Sequence, residues 1–164
     1  MDLLVGADGW AAFGRRRCRC AIGRSGLARN KREGDGATPI GIWPCRLIYW
    51  RPDRLSPPAT ALPIVALQPA DGWCDAPADP AYNLPVALPY PASTEMLWRD
   101  DHVYDLIVPL GYNDAPVVPG LGSAIFLHLA QPDYAPTQGC VALALEDLLA
   151  FLAQAGRDTR VVVG

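Results

Sequence analysis

A chain of 164 residues, 51% of them hydrophobic, holds enough apolar side chain for one core of ordinary size, so a single domain over residues 1–164 is expected. A formal net charge of -3 argues against nucleic acid as the main partner. No apolar run reaches the ~18 residues of a membrane span.

In chain order the pattern is mostly strand. Leu3 to Val5 and Trp10 to Phe13 flank Gly6-Ala7-Asp8-Gly9 and predict a hairpin. Arg17 to Ile22 alternates basic and small apolar residues, as a strand with one wet face does. Cys18 and Cys20 then share one face and are poorly placed to bridge each other. Ile40 to Trp50 is rich in β-branched and aromatic residues, and Leu62 to Leu67 is a shorter strand candidate. From Arg51 to Pro91 prolines recur every few residues, which rules out a long helix or central strand and predicts a surface loop region pinned by Trp73, Tyr82 and Tyr90.

Ser93 to Trp98 is expected as one helical turn, and Val103 to Leu110 and Ser123 to Leu129 as buried strands. Leu145 to Ala155 is the one convincing helix, with Glu146 and Asp147 in its first turn and Gly156 closing it. Thr159 to Val163 is a final strand. Strands without βα alternation imply a mainly β fold: a β-sandwich with a late α-helix and a proline-rich surface loop region.

The chemistry concentrates between Phe126 and Leu143. His128 ends an apolar run, and after a turn-rich loop Cys140 follows Gly139 at the start of another. A free thiol is roughly 3% thiolate at neutral pH unless a cation or base shifts it. An imidazole can take that proton and return it to a leaving amine, so the pair suffices for acyl transfer through a thioester. Gly139 lets the backbone approach a ligand closely, Thr137 adds a hydroxyl at the same turn, and Pro132 and Pro136 stiffen the loop. A third group must orient the imidazole; a backbone carbonyl is the first candidate and Asp133 the nearest acid. The backbone N–H of Cys140, with that of Gly139, would face a developing oxyanion.

Other features point to chemistry less sharply. Five cysteines is an odd number, so in an oxidising compartment at least one stays free or pairs with another chain. A zinc site from Cys18, Cys20, Cys45, Cys74 and His102 lacks ligand spacing, and no metal or cofactor is expected. Gly23-Arg24-Ser25-Gly26 lacks the Gly-Lys-Ser/Thr step of a phosphate loop. Arg24, Arg29, Lys31 and Arg32 form a basic loop, either a solvated turn or a contact for carboxylates. Asp100, Asp101, His102 and Asp105 read as wet charges at a strand entrance. Asn113, in Tyr112-Asn113-Asp114, is a candidate hydrogen-bond donor lining the cleft.

These residues resemble the L,D-transpeptidase catalytic domain, or YkuD, family, whose signature is a His, a loop, and Ser/Thr-x-Gly-Cys-Val/Ile. His128 and Thr137-Gln138-Gly139-Cys140-Val141 match it. Upstream, Thr38-Pro39-Ile40-Gly41 resembles the family's Thr-Pro-x-Gly-aromatic step, with Trp43 one place late, and Leu145 to Leu149 resembles its closing helix. Ala142 stands where the family usually has Arg, Leu129 where it often has Gly, and the loop from His128 to Cys140 is shorter than is common.

The resemblance implies a Cys140 nucleophile and a His128 general base, then acid; Gly139 and Thr137 at the same turn, and Asn113 by its place before the His strand, are expected near the oxyanion or substrate. The expected partners are peptidoglycan stem peptides, cleaved after diaminopimelate and joined to an amine of a second stem as a 3→3 cross-link. Water as acceptor would make the same site an L,D-carboxypeptidase; loss of turnover would leave a wall-binding module of the same fold. A cysteine peptidase of unrelated fold, such as a sortase, would need a downstream Arg, for which only Arg157 and Arg160 are available. The family implies the periplasm or cell envelope. Met1 to Trp10 has no basic n-region or long h-region, so another export route, a misassigned start or a cytoplasmic site of action stay open.

Overall fold

The structure, a computed structural model, describes residues 1–164. Strands β1 (Leu3–Val5), β2 (Trp10–Phe13) and β3 (Arg16–Ala21) form an antiparallel meander. In β3 Arg17 and Arg19 are exposed on one face and Cys18 and Cys20 are buried on the other. All five cysteines are free thiols. Strands β4 (Leu27–Ala28) and β5 (Thr38–Pro39) make a small parallel ribbon.

The predicted strand from Ile40 to Trp50 is two strands, β6 (Gly41–Pro44) and β7 (Ile48–Trp50). They lie near opposite ends of the main sheet, because β6 pairs with the last strand, β15 (Arg160–Val163), and β7 with β12 (Leu106–Pro109). Beside β7 runs β8 (Ile64–Ala66).

The proline-rich stretch is more ordered than expected. Between Arg51 and Pro91 it contains β9 (Asp71–Cys74) and β10 (Pro85–Ala87), and the predicted helical turn at Ser93 to Trp98 is instead β11 (Thr94–Met96). These strands form a separate antiparallel sheet with β9 in its centre. The prolines keep clear of the central strand, and Glu95 of β11 pairs with Trp73 of β9, a partner that local propensity cannot reveal.

Strand β13 (Phe126–Leu129) pairs antiparallel with β12 and parallel with β14 (Val141–Leu143), and β14 pairs with β3. The main sheet therefore runs β6-β15-β1-β2-β3-β14-β13-β12-β7-β8. Helix α1 (Leu145–Leu152) connects β14 to β15. It stops three residues before the predicted end: Gln154 and Ala155 donate to Phe151 and Leu152, a tightened last turn, and Gly156 donates to Thr159 Oγ1 in the loop beyond. Asp147 in its first turn is buried against Arg16 at 2.6 Å.

The architecture is the mainly β, sandwich-like fold with a late helix that the sequence implied. Strands β12 and β13 are buried on both faces, which explains their unbroken apolar runs. Leu106, Val108, Leu127 and Leu129 join the larger core with Leu3, Val5, Phe13, Leu148, Phe151 and Val161. Phe13 and Phe151 meet edge to face at 5.6 Å. The alternate residues Ile107 and Phe126 join a second cluster with Tyr104, Leu97 and Cys140, packed against Trp73 and Trp98 from the small sheet and the segment after it. That sheet thus helps to roof the second face, where the site lies.

Candidate active site

The parallel register of β13 and β14 sets His128 opposite Ala142. Cys140, two residues before Ala142, lies on the same face, and both Cys140 and His128 line one cleft of about 490 Å³. Each is only 7% exposed. The thiol is held at both ends: its S–H donates to Ala124 O at 3.2 Å, and the sulfur accepts from Phe126 N at 3.4 Å. His128 Nδ1 donates to its neighbour's carbonyl, Leu129 O, at 2.9 Å, so Nε2 is the basic nitrogen. The orienting group is the backbone carbonyl, while Asp133 accepts from Ala135 N in its own loop. The Tyr104 ring packs edge to face on the imidazole at 5.2 Å.

The two signatures read separately in the sequence meet at Cys140. Thr137 Oγ1 donates to Cys140 O at 2.6 Å, and Thr38 Oγ1 donates to the same carbonyl at 3.4 Å. Thr38 Oγ1 also accepts from Gly23 N, so the upstream motif fixes the Cys140 turn. The late aromatic has a structural reason: Gly41 has φ 152°, and a Cβ there would lie 2.3 Å from the Trp43 ring, whose Nε1 donates to Pro39 O. Gly139 has φ 135°, and a Cβ on it would sit 2.8 Å from Ala37 O.

Of the two backbone donors expected at the oxyanion, that of Gly139 is engaged by Thr137 Oγ1 at 3.1 Å. The Cys140 N–H has no intramolecular acceptor. Asn113 does not line the cleft: its side chain bonds Val118 and the Gly122 carbonyl and braces that loop. Of the expected wet charges, Asp101 pairs with Arg99, and Asp105 is instead buried, held by Arg54 and by His102 Nδ1, while Asp100 offers only its backbone carbonyl to Arg54. No group of three or more His, Cys, Asp or Glu is placed to hold a metal ion.

Burial dominates the electrostatics. It pushes the Cys140 thiol up to about 12, with the Glu95 carboxylate adding to the rise, and drops the His128 imidazole to about 4. At neutral pH the free site therefore holds a neutral thiol and a neutral imidazole. Burial likewise raises Glu95, whose carboxylate accepts the Tyr104 hydroxyl.

Four residues of the site were missed or undervalued in the sequence. Tyr104 and Glu95 form the pair just described. Asn83, buried with φ 57°, accepts from Ala124 N at 3.0 Å and from Trp73 Nε1 at 2.9 Å, fixing the residue whose carbonyl holds the thiol. Lys31, one of four cations in a predicted basic loop, is buried in the cleft wall, whereas Arg24, Arg29 and Arg32 are exposed. The arginine run around Lys31 was a signal for that loop; nothing local distinguished Asn83, Tyr104 or Glu95.

A family model described as the L,D-transpeptidase catalytic domain, YkuD, matches residues 5–163. No curated protein and no solved structure matches the chain.

Proposed function

The chain belongs to the L,D-transpeptidase catalytic domain family, and from that premise we propose that it is a single catalytic domain transferring an acyl group of peptidoglycan stem peptides through Cys140. The observation that carries this reading is the shared cleft, where a thiol anchored by Ala124 and Phe126 and an imidazole with Nε2 free lie on one sheet face.

With both groups neutral, the thiol proton passes to His128 Nε2 as sulfur attacks the scissile carbonyl, rather than from a standing ion pair. The Cys140 N–H faces the oxyanion, and Thr137 and Gly139 hold the turn that aims it. The imidazolium returns its proton to the leaving amine, which leaves a thioester on Cys140. An amine of a second stem closes a 3→3 cross-link, in cell-wall synthesis or remodelling at the cell envelope.

A cleft of about 490 Å³ is the size of a site for one small ligand, which favours a second reading with water as acceptor, an L,D-carboxypeptidase. Purified protein incubated with tetrapeptide muropeptides is expected to release the terminal residue, and mass spectrometry separates the cross-linked dimer from the tripeptide. No product from either route, with Cys140 reduced, would overturn the proposal.

A further inference from the structure

We infer that Lys31 recognises the free carboxylate of the residue released from the acyl donor, so that the site takes peptide ends rather than internal bonds. The inference rests on Cys140 being the nucleophile. Strand β14, which follows Cys140, brings no cation of its own, since Ala142 stands two residues on.

The cation arrives from the loop between β4 and β5. The Lys31 side chain is 3% exposed, and Nζ is fixed by Asp35 Oδ1 at 2.7 Å and Arg32 O at 3.2 Å. An ammonium has three N–H groups, so one remains for a ligand. Nζ is 3.5 Å from where a Cβ on Gly139 would stand, one residue from the nucleophile, and Lys31 and Cys140 line the same cleft. The Cys140 N–H, which has no intramolecular acceptor, follows Gly139 directly in the chain.

Arg99, the other cleft cation, pairs with Asp101 and stands 5.3 Å from the Tyr104 ring, on the His128 side of the cleft, whereas Lys31 stands on the Gly139 side. Glu33 accepts from Tyr82 and Ser123, and Glu95 from Tyr104. Asp75 also lines the cleft, and with Glu33 and Glu95 it would repel a substrate carboxylate elsewhere in it. The Lys31 corner is where an anion next to the scissile bond is stabilised.

Alkylation of Cys140 by iodoacetate and by iodoacetamide, resolved by peptide mass mapping, tests this without turnover. Sulfur displaces iodide in both, and only iodoacetate carries a carboxylate. The iodoacetate-to-iodoacetamide rate ratio at Cys140 is expected to exceed that of free cysteine, to fall about tenfold in Lys31→Gln, and to persist in Lys31→Arg. A wild-type ratio at or below that of free cysteine would overturn the inference, with no variant needed, as would an unchanged ratio in folded Lys31→Gln.

In turnover, a stem peptide ending in a carboxamide should show a raised KM in the wild type, and Lys31→Gln should raise KM for the free acid to match it. Equal KM values for acid and amide in the wild type would also overturn it. Absence of all turnover with the expected alkylation ratios would sink the proposed function and leave the carboxylate site standing.

Discussion

The two faces of β12, β13 and β14 carry alternate residues of the same strands, yet they serve opposite ends. One face is dry: Leu106, Val108, Leu127, Leu129, Val141 and Leu143 interlock with α1 and the meander, with no polar side chain among them. The other is buried almost as well but carries Cys140, His128 and Tyr104, with a roof that includes Glu95, Lys31 and Asp75. The dry face contributes stability through apolar area. The second face gives up part of that contribution to hold two neutral titratable groups in fixed positions, and their shifts follow from the burial that aims them.

The sharpest way to break the comparison is one truncation on each face. Leu127→Ala is expected to cost about 3 kcal/mol in denaturant unfolding and to leave any folded fraction active. Cys140→Ala should abolish turnover and change stability by only about 1 kcal/mol. Reversal of those two outcomes would mean that the faces have been assigned the wrong way round.

Of the two faces, only the second carries groups that acid titrates. The unfolded chain protonates His128 near 6.5 and the folded chain only near 4, so between those values the unfolded state binds the extra proton. Stability attributable to this residue is intact above about pH 6.5 and is lost as pH falls towards 4, by about 3 kcal/mol. His128→Gln should remove that part of the slope in unfolding curves collected across this range. A wild-type curve with the same slope as the variant would refute the buried neutral imidazole.

A smaller effect is expected from Asn83→Ala, which leaves Ala124 N and Trp73 Nε1 without their acceptor. It should cost about 2 kcal/mol and slow turnover as well, because Ala124 O loses its anchor for the thiol. Unaltered kinetics in a destabilised variant would confine Asn83 to the fold.

Much of this was legible in the chain. The meander, β12, β13, α1 and β15 announce themselves through local apolar runs, turn residues and acids at a helix start. The small sheet does not: its strands are three or four residues long, lie among prolines, and exist only because β9 finds β10 and β11. The helical turn expected at Ser93 to Trp98 failed for that reason. Among site residues, Cys140 and His128 stood out because one loop joins them, and Asn113 was misplaced because a loop asparagine bonding its own loop looks the same in sequence as one facing a ligand.

The sequence by itself determined the mainly β class, the meander, β12, β13, β15, the late helix and the family, because each is written in residues close together along the chain. Only the tertiary structure decided that Thr38 holds the Cys140 carbonyl, that Tyr104 packs on the imidazole while donating to Glu95, and that Lys31 alone among its basic neighbours is drawn inside. Those contacts join segments far apart in the chain. Their partners are set by sheet register and curl, which no local pattern encodes.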